Sequence, residues 1–278
     1  MKSAVIGQFL KDPSVVFDKE KHTYKTAGGE LYTGCTTIAG AWDKSYFLGP
    51  WHAKEMALAI LSRPFDEVAK LTPPEFEKFI TNAKGAAKRK SEAAANTGTL
   101  AHDWIASFIS SRIDPNLDLI PTPDDDEANN AIEAFVTWQP TERITWLASE
   151  ELVCSDEYRI AGTLDAIASF DGIPFIVDFK TSGQLSPSYL LQCAGYDIML
   201  REMGFAVAGY KIIRIPKDGT AAETLTITDA KDMQFFRETF LKQREAHRFY
   251  VYTTSKFTDM ATGKMRVDLP ELKVEETN

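Results

Sequence analysis

The sequence predicts an α/β (α+β) protein with a mainly helical first half and a strand-rich second half. Three observations predict it. Several segments before residue 140 repeat apolar residues at helical spacing. Near residue 143 the pattern changes, and "RITWLASEELVCS" and "YRIAGTLDAIASF" alternate apolar and polar positions. Asp171-Gly172, between Phe170 and Ile173, is a two-residue hairpin signal.

The elements follow in order. Residues 14–37 read as a β-hairpin, with "KHTYKT" and "ELYTGCTT" flanking the Ala27-Gly28-Gly29 turn. In "AWDKSYFLGPWHAKEMALAILSR", Pro50 suits a first helical turn, and Met56, Ala59 and Ile60 keep helical spacing. Residues 72–96 predict a helix capped by Thr72, opened by Pro73 and closed into a capping box by Glu75. Residues 97–113 predict a separate helix with Trp104, Ile105, Phe108 and Ile109 on its apolar face. Residues 124–139 predict another, whose N-terminal acids suit the helix dipole. Strands at 143–155, 158–170 and 173–181 come next. Residues 186–204 form a helix capped by Ser186, opened by Pro187 and closed by Gly204. Two further strands, "VAGYKIIRIP" and "ETLTIT", precede a last helix at 229–250 capped by Asp229. The segments join as one domain: a hairpin and mainly helical part at 1–140, a core at 141–253 and a polar tail at 254–278.

Composition narrows the function. No apolar run approaches the roughly 18 residues of a membrane span, and "MKSAVIGQFLKDPS" is too soon interrupted for a signal peptide. The expectation is a cytoplasmic protein without a membrane partner. Cys35, Cys154 and Cys193 lie far apart with no CxxC pair, which excludes a zinc ribbon and a disulfide scaffold. Three cysteines are too few for a four-cysteine iron–sulfur cluster. The net charge of −9 argues against nucleic acid as a partner, but charge distribution matters more. Lys84, Lys88, Arg89 and Lys90 cluster in a stretch with one acid, Glu92.

The chemistry concentrates in "GTLDAIASFDGIPFIVDFKTS", residues 162–182. A hairpin pairing Phe170 with Ile173 brings Asp165 opposite Asp178, with Cβ atoms roughly 4.5–5.5 Å apart. Lys180, two residues past Asp178, faces the same way. Two adjacent carboxylates repel unless a cation lies between them, and hard oxygen donors suit Mg²⁺ or Mn²⁺. The lysine points beyond metal storage to phosphoryl transfer, where an ammonium holds water and offsets developing charge. A lone D-x-K means little, since Asp229-Ala230-Lys231 repeats it at a helix start and Glu271-Leu272-Lys273 fits its looser form. The facing acid and the hairpin register distinguish the central copy.

Gly162-x-x-Asp165, the hairpin and Asp178-x-Lys180 resemble the core of the PD-(D/E)XK nuclease superfamily. Gln192 and Tyr196, four apart on the next helix, resemble the Q-x-x-x-Y motif of its RecB-like exonuclease branch. Gly98-Thr99-x-x-His102 resembles that branch's G-x-x-x-H element, and "CTTIAGAWDKSYFLGPWHAK" is similar to the N-terminal segment of phage-encoded and mitochondrial genome maintenance exonucleases. The resemblance spans roughly residues 30 to 250. It implies a restriction-endonuclease-like core, a central mixed sheet flanked by helices, with a helical N-terminal part over the site. It implies that Asp165, Asp178, His102 and the main-chain carbonyl of Phe179 bind Mg²⁺ or Mn²⁺, with Glu150 for a second ion. Lys180 would position the water, and Gln192 and Tyr196 would orient the lysine or a DNA phosphate. Lys84, Lys88, Arg89, Lys90 and Thr181 would contact DNA. The implied activity is a metal-dependent DNA exonuclease acting on free ends, in recombination, repair or phage DNA processing. A structure-specific endonuclease on the same core and a silent DNA-binding relative are the alternatives. The cysteine count departs from the iron–sulfur members, so no cluster is expected.

Overall fold

Three short strands open the protein in a computed structural model that describes residues 10–42, 45–139 and 143–262. They are β1 (Val15–Asp18), β2 (Thr23–Thr26) and β3 (Leu31–Gly34), each antiparallel to the next. Gly29, at φ +85, supplies the left-handed position that the Ala27-Gly28-Gly29 turn predicted. The strand ends sooner than the sequence suggested. Cys35–Ala39 forms a short helix, α1, because burying Cys35, Ile38 and Ala39 on one side needs helical spacing.

Helix α2 (Ser45–Leu61) begins before the predicted start and holds Pro50 inside it rather than in its first turn. A short α3 (Phe65–Val68) leads to α4 (Pro73–Lys84). The capping box of α4 is present: the Thr72 main-chain N–H donates to the Glu75 carboxylate at 2.8 Å. The predicted helices 72–96 and 97–113 are divided elsewhere. The break falls at Gly85, and α5 (Ala86–Ile113) runs unbroken through Thr97-Gly98-Thr99. Gly98 is no breaker because it packs on Thr181, whose hydroxyl lies 2.9 Å from where a Cβ would stand. Asp125 caps α6 (Asp126–Trp138), accepting from the Ala128 N–H at 2.8 Å.

The remaining elements are β4 (Ile144–Ser155), β5 (Ile160–Phe170), β6 (Ile173–Lys180), α7 (Pro187–Glu202), β7 (Gly209–Arg214), β8 (Glu223–Ile227) and α8 (Ala230–Thr262). Helix α8 passes its predicted end at 250, as no glycine or proline interrupts it before Gly263. The rest of the expected tail, 263–278, lies outside the described residues.

The strands form one mixed sheet with helices on both sides, the predicted fold class. Strand β5 is its spine. Antiparallel β4 pairs with it from Ile160 to Phe170, which occupies one edge. The other edge has two partners in succession: parallel β3 at Ile160 and Ala161, then antiparallel β6 from Ala166 to Phe170. Residues 162–165 therefore have no strand neighbour there. Parallel β7 and antiparallel β8 extend the sheet beyond β6.

One face buries Leu164, Ile167, Ile176 and Ile212 against α1, α7 and α8. The other buries Ala166, Val177, Phe179 and Ile213 against α5 and α6. Among the described residues, no helix is long and apolar enough to cross a membrane. All three cysteines are buried and free.

Candidate active site

The β5–β6 hairpin has the expected register, from Phe170↔Ile173 to Ala166↔Val177. Asp171 and Gly172 turn it with φ +50 and +86. Asp165 and Asp178 occupy the next step, but the described ladder stops short of them, so they are not the regular cross-strand pair expected. The Phe179 N–H instead donates to Asp165 Oδ2 at 2.8 Å. A carboxylate thus takes a main-chain donor at the point where the strands part.

Helix α7 braces the same gap. The Tyr196 hydroxyl donates to the Thr163 carbonyl at 2.8 Å and accepts from Gln192 Nε2 at 3.0 Å. Thr163 is one of the residues without a strand neighbour on that edge, so Tyr196 satisfies an otherwise orphaned acceptor. Gly162 makes room: a Cβ there would stand 2.7 Å from the Tyr196 ring and 3.1 Å from Cys35 Cβ. Tyr196 and Gln192 are both buried. The described hydrogen bonds of their side chains run to each other and to the main chain of β5, and none reaches Lys180.

Asp178 is fully buried. Lys180 Nζ lies 2.7 Å from its Oδ2. The contact is an ion pair rather than a well-directed hydrogen bond, and neither Asp178 oxygen has a hydrogen-bond partner among the described residues. Burial pushes the Asp178 carboxyl upward; Lys180 opposes this and Asp165 adds to it. Burial alone would lower Lys180, but the charges of Asp178 and Asp165 more than reverse that and hold it as an ammonium. Its ammonium also sits over the Tyr189 ring, 5.0 Å from the centroid.

On the α5 side, His102 Nδ1 approaches Asp165 Oδ2 to 3.7 Å. His102, Asp165, Glu150 and Phe179 line one tight crevice. Glu150 stands at its exposed rim, at an uncommon φ of +50. The register skips it between Ser149↔Ala166 and Glu151↔Leu164, which places it opposite Asp165. Partial loss of water, then the Asp165 and Asp103 charges, push its carboxyl up to about 7.

Among the described residues, no three His, Cys, Asp or Glu side chains converge as a ready-made metal cluster. The donor set nevertheless suits a hard divalent ion. Asp178 presents two buried carboxylate oxygens: Oδ2 is paired with the Lys180 ammonium, and Oδ1 has no hydrogen-bond partner among the described residues, so it is free to meet a cation. Asp165 and His102 stand together nearby. The residues that could hold such an ion are Asp165, Asp178, His102 and the Phe179 carbonyl, with Glu150 at the rim.

The basic run lies elsewhere. Lys84, Lys88, Arg89 and Lys90 are exposed where α4 meets α5. Lys90 pairs with Glu55 at 2.8 Å and Lys88 with Glu92 at 3.7 Å. Twelve residues of α5 separate Lys90 from His102, about 18 Å of helix. Thr181 is half-buried against Gly98. Three neighbours of the site escaped sequence reasoning: Tyr189, Asp103 and Cys193. Tyr189 lies three residues before Gln192, a spacing that places both toward one side of α7. Asp103 and Cys193 carry no local signal. The Cys193 thiol is fully buried and raised well above its usual range, first by burial and then by Asp178.

No family model matches the chain, and no curated protein does. Among solved structures it is similar to an alkaline exonuclease (LHK-Exo) from Laribacter hongkongensis, at 12% identity and a TM-score of 0.28, covering 56% of this chain and 85% of that one. The same values hold for LHK-Exo in complex with dAMP. A third similar structure, SSO0001, shows 15% identity and a TM-score of 0.24, covering 43% of this chain and only 61% of that protein.

Proposed function

We propose that the protein is a divalent-metal-dependent deoxyribonuclease that hydrolyses phosphodiester bonds from a free DNA end, in recombination, repair or phage DNA processing. One observation carries this reading: the buried Asp178–Lys180 pair adjoins Asp165 at the place where one edge of β5 has no strand neighbour. A structural ion pair would not need a second carboxylate beside it.

Mg²⁺ or Mn²⁺, when bound, supplies Lewis-acid polarisation and a more acidic water. Asp165, Asp178, His102 and the Phe179 carbonyl would hold that ion, and Glu150 would hold a second. Lys180 acts as a donor, its ammonium anchored 2.7 Å from Asp178. Its ammonium holds the attacking water against the phosphorus and offsets charge on the phosphoryl oxygens in the transition state. Tyr189 and Asp178 fix the ammonium between them. Gln192 and Tyr196 act one step back, by keeping β5 in place beneath Asp165. Lys84, Lys88, Arg89 and Lys90 attract the DNA backbone, and Thr181 stands near the site to meet it.

The test is digestion of end-labelled linear DNA with Mg²⁺, with and without chelator, beside circular single-stranded DNA. The expected result is metal-dependent release of label from linear DNA with the circle intact. Cutting of the circle would make the enzyme an endonuclease. No cleavage of either, with Mg²⁺ or Mn²⁺, would overturn the proposal.

A further inference from the structure

Helices α2, α4 and the start of α5 enclose a second pocket, of about 320 Å³, away from the crevice. Ser62, Arg63, Phe79, Asn82 and Arg89 line it. We propose that Arg63 and Arg89 bind a backbone phosphate of a nucleic-acid strand here, with Phe79 beneath its sugar or base. This rests on the nuclease reading and deepens it by adding a distal subsite for the strand.

Both guanidinium groups are held in place before any ligand arrives. Arg89 Nη2 donates to the Asn82 carbonyl at 3.0 Å. That bond caps the last turn of α4, and it lays the guanidinium over Gly85, where a Cβ would stand 2.7 Å from Nη1. No carboxylate pairs with Arg89 among the described residues. Arg63 lies over the Phe79 ring, 5.5 Å from its centroid, and its described ion pair with Glu67, at 3.3 Å, uses Nε alone. Two fixed planar forks around one opening match the oxygens of a phosphate, and little ordering entropy remains to be lost on binding.

Position identifies the ligand as a strand. The pocket sits at the start of α5, and the same helix carries His102 in the catalytic crevice. Arg89 and His102 are thirteen residues apart, about 20 Å of helix, a distance that several nucleotides of extended strand cover. Lys84 and Lys88, exposed next to Ala83 and Arg89 in the chain, add positive charge nearby, that of Lys88 shared with Glu92 at 3.7 Å.

The test measures fluorescence anisotropy of labelled oligothymidylates across a range of salt, without divalent metal. It compares the full chain with Arg63→Ala/Arg89→Ala. The double variant is expected to bind a dodecanucleotide about tenfold more weakly. Its slope of log affinity against log salt should be shallower by about 0.7, the value for one lost single-strand phosphate contact. A trinucleotide, which can fill the pocket without reaching the crevice, should bind the full chain more weakly than the dodecanucleotide does and should show the same change in slope. If the double variant does not fold, Arg63→Gln alone should weaken dodecanucleotide binding and make the slope shallower, by less than the roughly 0.7 of a whole phosphate. Unchanged affinity and slope for the dodecanucleotide would overturn the proposal. Hydrolysis by the wild type is scored separately. Cleavage with an unchanged slope removes the pocket alone, whereas a changed slope without cleavage keeps the pocket and removes the nuclease reading.

Discussion

Tyr196→Phe separates a tyrosine that braces the sheet from one that works on substrate. The ring is 2% exposed and would keep its place beside Gly162, so no cavity opens. What is lost is the hydroxyl, with its 2.8 Å bond to the Thr163 carbonyl and its 3.0 Å bond from Gln192. Thr163 has no strand partner on that edge to replace it. A buried acceptor left unsatisfied costs about 1–3 kcal/mol. At about 2.1 cal/mol/K per residue over 278 residues, the unfolding entropy is about 0.6 kcal/mol/K. The melting temperature should therefore fall by about 2–5 °C, which calorimetry resolves. Hydrolysis should fall by about tenfold through kcat, because Asp165 lies two residues beyond Thr163 and loses its support. An unchanged melting temperature with hydrolysis reduced a thousandfold would refute the brace and place the hydroxyl on the substrate.

Three other perturbations test neighbouring parts of the site. Gly162→Ala drives a methyl group to within 2.7 Å of the Tyr196 ring; it should destabilise the fold by about 1–3 kcal/mol, read by urea denaturation. Lys180→Met should abolish hydrolysis and cost about 3 kcal/mol by stranding Asp178. Asp178→Asn/Lys180→Met should recover part of that stability and none of the activity. Glu150 is pushed up to about 7 from its ordinary 4.5, so its contribution to stability is full below that ordinary value and is lost as pH rises through 7. Glu150→Gln should flatten the pH dependence of the melting temperature across that window, and an unaltered profile would show that Glu150 does not titrate there.

Much of this arrangement is legible in the sequence, because it follows from local rules. The Asp171-Gly172 turn fixes its hairpin register, and a period of two then puts Lys180 beside Asp178. The capping residues at Thr72 and Ser186 mark helix starts within a residue or two. Distant contacts set what was missed. Thr97-Gly98-Thr99 resembles a helix end until Thr181 comes to rest against Gly98, while the actual break at Gly85 accommodates Arg89. The spacing of Gln192 and Tyr196 shows that they share a side of α7. It does not show that this side faces an unpaired stretch of β5 and not a lysine or a phosphate. Glu150 was found from its strand, but its left-handed backbone has no local signature in the sequence.

The most direct measurement is Mn²⁺ binding, followed by electron paramagnetic resonance, for the wild type, Asp165→Asn and Asp178→Asn. If the two aspartates hold one ion at the edge of β5, the wild type should take up Mn²⁺ and each variant should bind it at least about tenfold more weakly. Equal uptake by all three proteins, or none by the wild type, would contradict it.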